Sequence, residues 1–463
     1  MTTSSSFMGL KPSKIAEEIR KGKLTVCIVG LGWMGLPTAC LFAEAGANVI
    51  GVDINPRAVE ILNKGESHLS EPSLKQLVKK HIGSGRLVAT TNLQEAASKG
   101  DVIIIVVPTM IDRQKKPDYS AVEDASREIG KGLRAGSMVI FESTCGPRVT
   151  ETIVKETLEK HSGLKAAKDF GLAYSPIRAT SGRILKDLQE YPRVVGAIDE
   201  YSMEAACAVL STVVKGGMIK TRDMRTAEAT KLFESVYRDL NIALANDFAI
   251  FCEEAGIDYV KAMEAANTQP YSHLHFPGVG VGGHCLPVYP YLLTEEAKAL
   301  GVKMALVKQA RRINENMPKH ALRLTAQGLR ACGKALARAK VTVLGIAYRA
   351  NAKETRYSPA VELISLLKRR GSRVTVYDPN FSSAEMAKMG YSSEPNLRRA
   401  IEKADCLIIT VAHDEFKQLN IRQLSTRMAK SSLVVDCAQV LDPSSVEKTG
   451  LTYRGVGRGT WSK

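Results

Sequence analysis

Short apolar runs alternate along the chain with segments whose apolar residues recur at helical spacing. Residues 24–29 form a β-rich run, followed by the turn Gly30-Leu31-Gly32-Trp33-Met34-Gly35 and a helical stretch to Ala45. Gly46 stops that helix, and a second strand-like run, 48–52, ends at Asp53. Strand, glycine turn, helix and strand in this order predict a βαβ nucleotide-binding unit. Further apolar runs at 101–107, 137–142 and 170–175 each end in polar residues and are separated by helical patterns, which predicts a mostly parallel sheet. Residues 13–21 have the spacing of a short amphipathic helix packed on this first domain.

From 225 to 255 the pattern changes to one long helix without Pro or Gly, with Phe233, Val236, Leu240, Leu244 and Phe248 at helical spacing. A helix of that length bridges domains or builds a dimer interface. After a helical region ending near Ala339, a second strand–turn–helix–strand unit follows at 341–345, 359–370 and 373–378, with strands at 407–411 and 433–436. The expected architecture is therefore α/β: two Rossmann-like domains with mostly parallel sheets, joined by a long central helix and a helical middle domain. The expected boundaries are 1–222, 223–338 and 339–463.

Composition narrows the class. At 463 residues the chain is too long for a single core, and 44% hydrophobic with 24% charged residues is the balance of an ordinary globular protein. Nine cysteines show no CxxC pair and no small-domain disulfide framework, which is cytosolic usage and suggests no metal site. No segment reaches the roughly 18 to 20 uninterrupted apolar residues of a membrane span, and residues 1–22 lack an apolar core of signal-peptide length. A cytoplasmic protein is expected. The net charge of +16 favours anionic company. However, the basic doublets Lys79-Lys80, Arg311-Arg312, Arg369-Arg370 and Arg398-Arg399 have no interleaved aromatics, so they read as solvated surface rather than a nucleic-acid face.

The candidate chemistry begins at the first glycine turn. In Gly30-x-Gly32-x-x-Gly35 the first glycine permits the tight turn, the second lets backbone approach a pyrophosphate, and the third lets helix and strand pack closely. Asp53, about twenty residues on, can accept hydrogen bonds from ribose hydroxyls and would repel a 2′-phosphate, so NAD is favoured over NADP. Arg57 is the nearby cation that a 2′-phosphate would use. Val107-Pro108-Thr109 and Glu142-Ser143-Thr144 close later strands, at the sheet edge where ligands of open α/β sheets collect. In the second unit Gly345-Ile346-Ala347-Tyr348-Arg349 replaces the glycine motif, and Arg356 with the start of the helix at Pro359 can hold phosphates. Between the two units, Val279-Gly280-Val281-Gly282-Gly283-His284-Cys285-Leu286-Pro287 puts a cysteine on nearly side-chain-free backbone, open to close approach by a substrate.

This ordered set resembles the UDP-glucose/GDP-mannose dehydrogenase family over about residues 24–458. The match comprises the glycine turn with Asp53, Glu142-Ser143-Thr144, Lys231 in Glu228-Ala-Thr-Lys231, Tyr237-Arg238-x-x-Asn241, Gly282-Gly283-His284-Cys285 and Arg356-x-Ser358-Pro359. Gly-Gly-His-Cys followed by Pro287-Val288 is similar to the branch acting on UDP-N-acetylhexosamines, with UDP-N-acetylmannosamine first and UDP-N-acetylglucosamine or UDP-glucose next. The resemblance implies two oxidations at sugar C6, with two NAD and a covalent intermediate on Cys285. It implies that Lys231 stabilises oxyanions, that Glu142 and Thr109 complete the catalytic set, and that Gly30, Gly32, Trp33, Met34, Gly35, Asp53, Arg57, Pro108, Thr109 and Thr144 hold NAD. Arg178, Lys231, Arg238, Asn241, Phe276, Gly278, Gly282, His284, Tyr289 and Arg356 would bind the UDP-sugar, in a homodimer built through the central helix.

Three positions depart from the family pattern. Ile177 stands where Glu is usual, Ser235 where Asn is usual and Tyr289 where Asp is usual. Ile177 moves no proton, and a tyrosine with a reference pKa near 10 is a poor base at neutral pH. Two readings stay open: Glu142 activates the hydrolytic water and the uronate forms, or the substrate or the extent of oxidation differs. A noncatalytic sensor of NAD and nucleotide sugar is the remaining alternative.

Overall fold

The computed structural model describes residues 7–461; residues 1–6 and 462–463, within the first and last expected domains, lie outside the described residues. Ten strands come first: β1 (Thr25–Val29), β2 (Asn48–Val52), β3 (Leu87–Thr90), β4 (Val102–Ile105), β5 (Met110–Ile111), β6 (Pro117–Asp118), β7 (Met138–Phe141), β8 (Gly171–Tyr174), β9 (Arg193–Ala197) and β10 (Met218–Lys220). Eight of them form one sheet in the order β10-β9-β8-β7-β4-β1-β2-β3, while β5 and β6 pair as a small antiparallel ribbon. Every pairing in the large sheet is parallel except β8 with β9, in register Ala173↔Ala197.

Helices cover both faces of this sheet, which is why its strands read as continuous apolar runs. Val26 and Ile28 of β1 pack into one core with Leu36, Ala39 and Phe42 of the helix Gly35–Glu44. Cys27 and Val29, pointing the other way, pack with Val122 and Ile129 of the helix Ser120–Gly132. The expected amphipathic N-terminal helix is present at Pro12–Arg20, burying Ile15 and Ile19. β1 has β2 on one side and β4 on the other, so strand order reverses there and a ligand crevice opens at the carboxyl ends.

The remaining strands are β11 (Lys340–Leu344), β12 (Arg373–Tyr377), β13 (Cys406–Ile409), β14 (Leu433–Asp436) and β15 (Thr452–Gly455). They form a second, wholly parallel sheet in the order β12-β11-β13-β14-β15. Val341, Val343, Ile408 and Val435 pack against Met317, Ala321 and Leu324 of the helix Ala305–Ala331. Pro318 inside that helix removes one donor and leaves the Asn314 carbonyl four residues back without its helical partner. A Cβ on Gly280 would lie 2.8 Å from that oxygen, so glycine is needed for the approach.

The long helix is observed at Met224–Ala255. The chain divides into two compact units, one of Met1–Glu234 with Tyr291–Gly301 and the other of Ser235–Pro290 with Val302–Lys463, each holding one large sheet. Among the described residues no helix is long and apolar enough to cross a membrane.

Candidate active site

In the first unit the glycine turn has the shape the motif predicts. Gly30 adopts φ +97°, and a Cβ there would meet the Val106 carbonyl at 2.4 Å; a Cβ on Gly35 would meet the Gly30 carbonyl at 1.8 Å. Around Gly32, by contrast, a Cβ would find nothing within 4 Å, and the helix that follows starts at Met34 without a side-chain cap. Open backbone at an uncapped helix start is what a pyrophosphate requires. Asp53 is fixed at the rim, Oδ2 accepting from Leu31 N and Oδ1 from Asn55 N, both at 2.9 Å. Trp33 and Met34 are half-buried, and Arg57 is exposed in the first turn of the helix Pro56–Asn63. The Thr109 hydroxyl donates to the Thr144 carbonyl at 2.6 Å, tying together the ends of β4 and β7 beside the exposed Pro108. These residues fit NAD.

Behind that edge Glu142 is sealed from solvent and accepts from Arg193 Nη2 at 2.7 Å, while its Oε2 has no partner among the described residues. Burial drives this carboxyl above its ordinary range, and the Arg193 charge offsets only part of the rise. Sequence reasoning missed Arg193; the available signal was an arginine opening the apolar run of β9, where a buried charge needs a partner. Ile177 is 8% exposed and belongs to the first unit's core. Its neighbour Arg178 forms an ion pair with Glu234 at 2.7 Å and donates to the Pro192 carbonyl.

Lys231, half-buried on the long helix, lies three residues before Glu234 and three after Glu228. Glu228 was not expected to matter beyond its place in the motif. It accepts from Thr150 N at 2.8 Å, Thr150 Oγ1 at 2.6 Å, Arg148 N at 2.6 Å and Cys145 Sγ at 3.4 Å. Burial raises its carboxyl and these donors counter the rise. It therefore clamps the segment following Thr144 onto the helix that carries Lys231.

In the second unit the cysteine turn is built against the segment 348–357. Gly283 N donates to the Arg356 carbonyl at 2.9 Å, and the His284 ring bonds to Glu354. A Cβ on Gly282 would lie 2.7 Å from Tyr348 Cβ and 2.8 Å from the Tyr357 carbonyl. Gly283, at φ +95°, would place one 2.7 Å from the Tyr348 ring. The structure uses Gly282 and Gly283 to seat the turn on Tyr348. Cys285 is half-buried, and its carbonyl accepts from Val288 N at 3.0 Å and Tyr289 N at 2.8 Å, just ahead of the helix Tyr289–Ala299.

On the long helix, Asn246 accepts from Gly278 N at 2.9 Å and donates to Asn314, while Asp239 accepts from Arg311 Nη1 at 2.7 Å and from Asn314 Nδ2 at 2.9 Å in a buried network. This fixes the segment carrying Gly278 and the exposed Phe276. Arg238 is exposed, Ser235 is buried, and Asn241 keeps an unpartnered Oδ1 among the described residues. At the end of β12 Asp378 stands where Asp53 stands in the first unit, but it is turned inward, accepting from Ile346 N and Ala347 N and bonding buried His413 at 3.1 Å. It offers no carboxylate to a ribose. The helix Pro359–Arg369 starts at Ser358 without a side-chain cap, close in sequence to exposed Arg356.

A dinucleotide-binding sheet, a second nucleotide-like sheet and a cysteine turn built on the latter define an NAD-dependent dehydrogenase. The chain belongs to the UDP-glucose/GDP-mannose dehydrogenase family: residues 24–214 match its NAD binding domain, 225–316 its central domain and 342–443 its UDP binding domain. It is an NAD-binding nucleotide-sugar dehydrogenase. A UDP-N-acetyl-D-mannosamine dehydrogenase of Pyrococcus horikoshii is 35% identical over 436 residues, covering 94% of this chain and 100% of that protein. A structure of the Pyrococcus horikoshii enzyme superposes with TM-score 0.87, covering 94% of this chain and 100% of that one. An NDP-N-acetyl-D-galactosaminuronic acid dehydrogenase of Ralstonia nicotianae is 33% identical, covering 87% of this chain and 94% of that protein. A UDP-glucose dehydrogenase structure from Pyrobaculum islandicum has TM-score 0.84 at 29% identity, over 94% of this chain and 98% of that one.

Proposed function

We propose that this protein oxidises C6 of UDP-N-acetylmannosamine to the uronate, consuming two NAD and one water per sugar. The observation that carries the reading is the Cys285 turn, seated by its glycines on Tyr348 and the 354–357 segment of the UDP-binding domain. NAD, when bound, supplies the hydride acceptor for each oxidation. Between the two oxidations the Cys285 sulfur adds to the sugar aldehyde to give a thiohemiacetal, whose oxidation leaves a thioester that water cleaves to the acid and free thiol. The Lys231 ammonium stabilises the oxyanions that form on this carbon and holds the water. Thr109 and Thr144 fix the cofactor edge, with Gly30, Gly32, Gly35 and Asp53 holding the dinucleotide. Arg178, Arg238, Asn241, Phe276, Gly278, Tyr289 and Arg356 hold the nucleotide sugar. Glu142, sealed and ion-paired, supports that edge from behind.

A second reading rests on Ile177, Ser235 and Tyr289: a different UDP-sugar, or oxidation that stops at the aldehyde. Incubation with NAD and a panel of UDP-N-acetylmannosamine, UDP-N-acetylglucosamine and UDP-glucose, followed at 340 nm with product masses, separates the two. Two NADH per sugar and a uronate mass, both lost in Cys285→Ser, support the main reading; one NADH with an aldehyde, or turnover on another sugar alone, supports the second.

We further infer a homodimer formed in the cytoplasm through the long helix. Tyr237, Leu244, Phe248 and Phe251, at helical spacing, are 56%, 42%, 42% and 64% exposed, an apolar face suited to the same face of a second copy.

A further inference from the structure

The turn that carries Cys285 also carries an acid–base pair. The His284 ring nitrogen Nε2 bonds to Glu354 Oε1 across seventy residues of sequence, and both side chains stay partly open, at 37% and 23% exposure. A carboxylate that accepts from one imidazole nitrogen sets the tautomer and leaves the other nitrogen with its lone pair. Here the bonded nitrogen is Nε2; with that nitrogen as the donor to Glu354, Nδ1 keeps its lone pair, and it has no partner among the described residues.

Glu354 is itself placed by the fold. Its carbonyl accepts from Tyr348 N at 3.1 Å, and the Tyr348 ring is the surface on which Gly283, one residue before His284, is seated. Tyr348 is not the base: burial, with the charges of Glu354 and Cys285, keeps its phenol above the usual range and protonated. Glu142 is not open to water, and Glu228 is spent on four donors. The pair beside the nucleophile is thus an open proton acceptor in the same unit as the sulfur.

We propose that His284, oriented by Glu354, is the general base that activates water in hydrolysis of the Cys285 thioester. The inference rests on the dehydrogenase reading above. The water oxygen bonds to the acyl carbon while its proton passes to His284 Nδ1. The carbon–sulfur bond then breaks, and the departing sulfur takes that proton to restore the thiol. No electrons are transferred in this half-reaction; both hydrides have already left.

The test compares the wild-type enzyme with His284→Gln and Glu354→Gln, using NAD and UDP-N-acetylmannosamine. Rapid mixing followed at 340 nm reads the first turnover, and intact mass reads any adduct on Cys285. In His284→Gln steady-state turnover falls by about 10²- to 10⁴-fold, the range for loss of a general base. A first-turnover burst of two NADH per site persists, and a uronyl adduct accumulates on Cys285. Glu354→Gln shows the same adduct with a smaller loss, and carries the test if His284→Gln does not fold.

Wild-type turnover in folded His284→Gln, or absence of both burst and adduct in a folded variant that binds NAD, overturns the proposal. The former means that another group activates the water, the latter that His284 acts before acylation. Failure of the wild-type enzyme to form a uronate overturns the underlying reading instead, before either variant is compared.

Discussion

Glu142 and Arg193 place two charges where both side chains are almost wholly excluded from water, at 0% and 4% exposure. Such a pair adds little over an apolar replacement, but removing one partner strands the other and costs about 3–5 kcal/mol. Arg193→Met is therefore expected to lower the free energy of unfolding by about that amount at neutral pH. The pH dependence has a definite sign. The Glu142 carboxyl lies above its ordinary 4.5 in the folded protein, so the folded state keeps this proton to higher pH than the unfolded chain does. Stability from this group consequently falls as pH rises through the interval above 4.5. Arg193 narrows the interval, and its loss widens it, so the deficit of Arg193→Met should be larger at pH 8 than at pH 5. Denaturant titrations at the two pH values check this; equal deficits would show that Glu142 does not titrate differently in the variant.

Local elements carry the site because specific backbone contacts allow them to. At the cysteine turn Gly283 combines φ +95° with a ring 2.7 Å from where its Cβ would be, so no rotamer change by the glycine's replacement relieves the clash. Gly283→Ala should cost about 1–3 kcal/mol from overpacking and displace His284 and Cys285 together. Turnover should fall while NAD binding, which rests on the other unit, is retained in a fluorescence titration. Unchanged turnover in Gly283→Ala would mean that the seat on Tyr348 does not position the nucleophile. The same logic made this turn and Gly30-x-Gly32-x-x-Gly35 easy to read: contiguous glycines report a local constraint. Glu228 was not easy to read, because its four donors come from residues 145–150, about eighty positions away, and nothing in its own surroundings announces them.

At the scale of the whole molecule, the helix Met224–Ala255 presents an exposed apolar face. The regular apolar spacing was legible from the sequence, and Phe233, Leu244 and Phe248 were noted, but spacing alone does not say whether a face is turned inward or outward. Val236 is 5% exposed, whereas Phe248 is 42% and Phe251 64% exposed. If a second copy covers this face, Phe248→Glu combined with Phe251→Glu should convert the dimer to monomer in light scattering, since two charges would be buried without partners. A wild-type protein that is itself monomeric at micromolar concentration would exclude the helix-mediated dimer.

By itself the sequence determined the alternation of strands and helices, the two sheets, the NAD turn with Asp53 and the candidate nucleophile Cys285. Each is specified by residues close together in the chain, through periodicity, backbone freedom and strand-end position. Only the tertiary structure decided that Arg193 neutralises Glu142, that Asp378 is consumed by His413 and backbone amides, that Glu228 clamps the 145–150 segment, and that His284 has Glu354 as its partner. Those pairings join residues 31 to 83 positions apart. The energy that selects them is the cost of leaving a buried or partly buried charge without a partner, a quantity that has no local signature until the chain has folded.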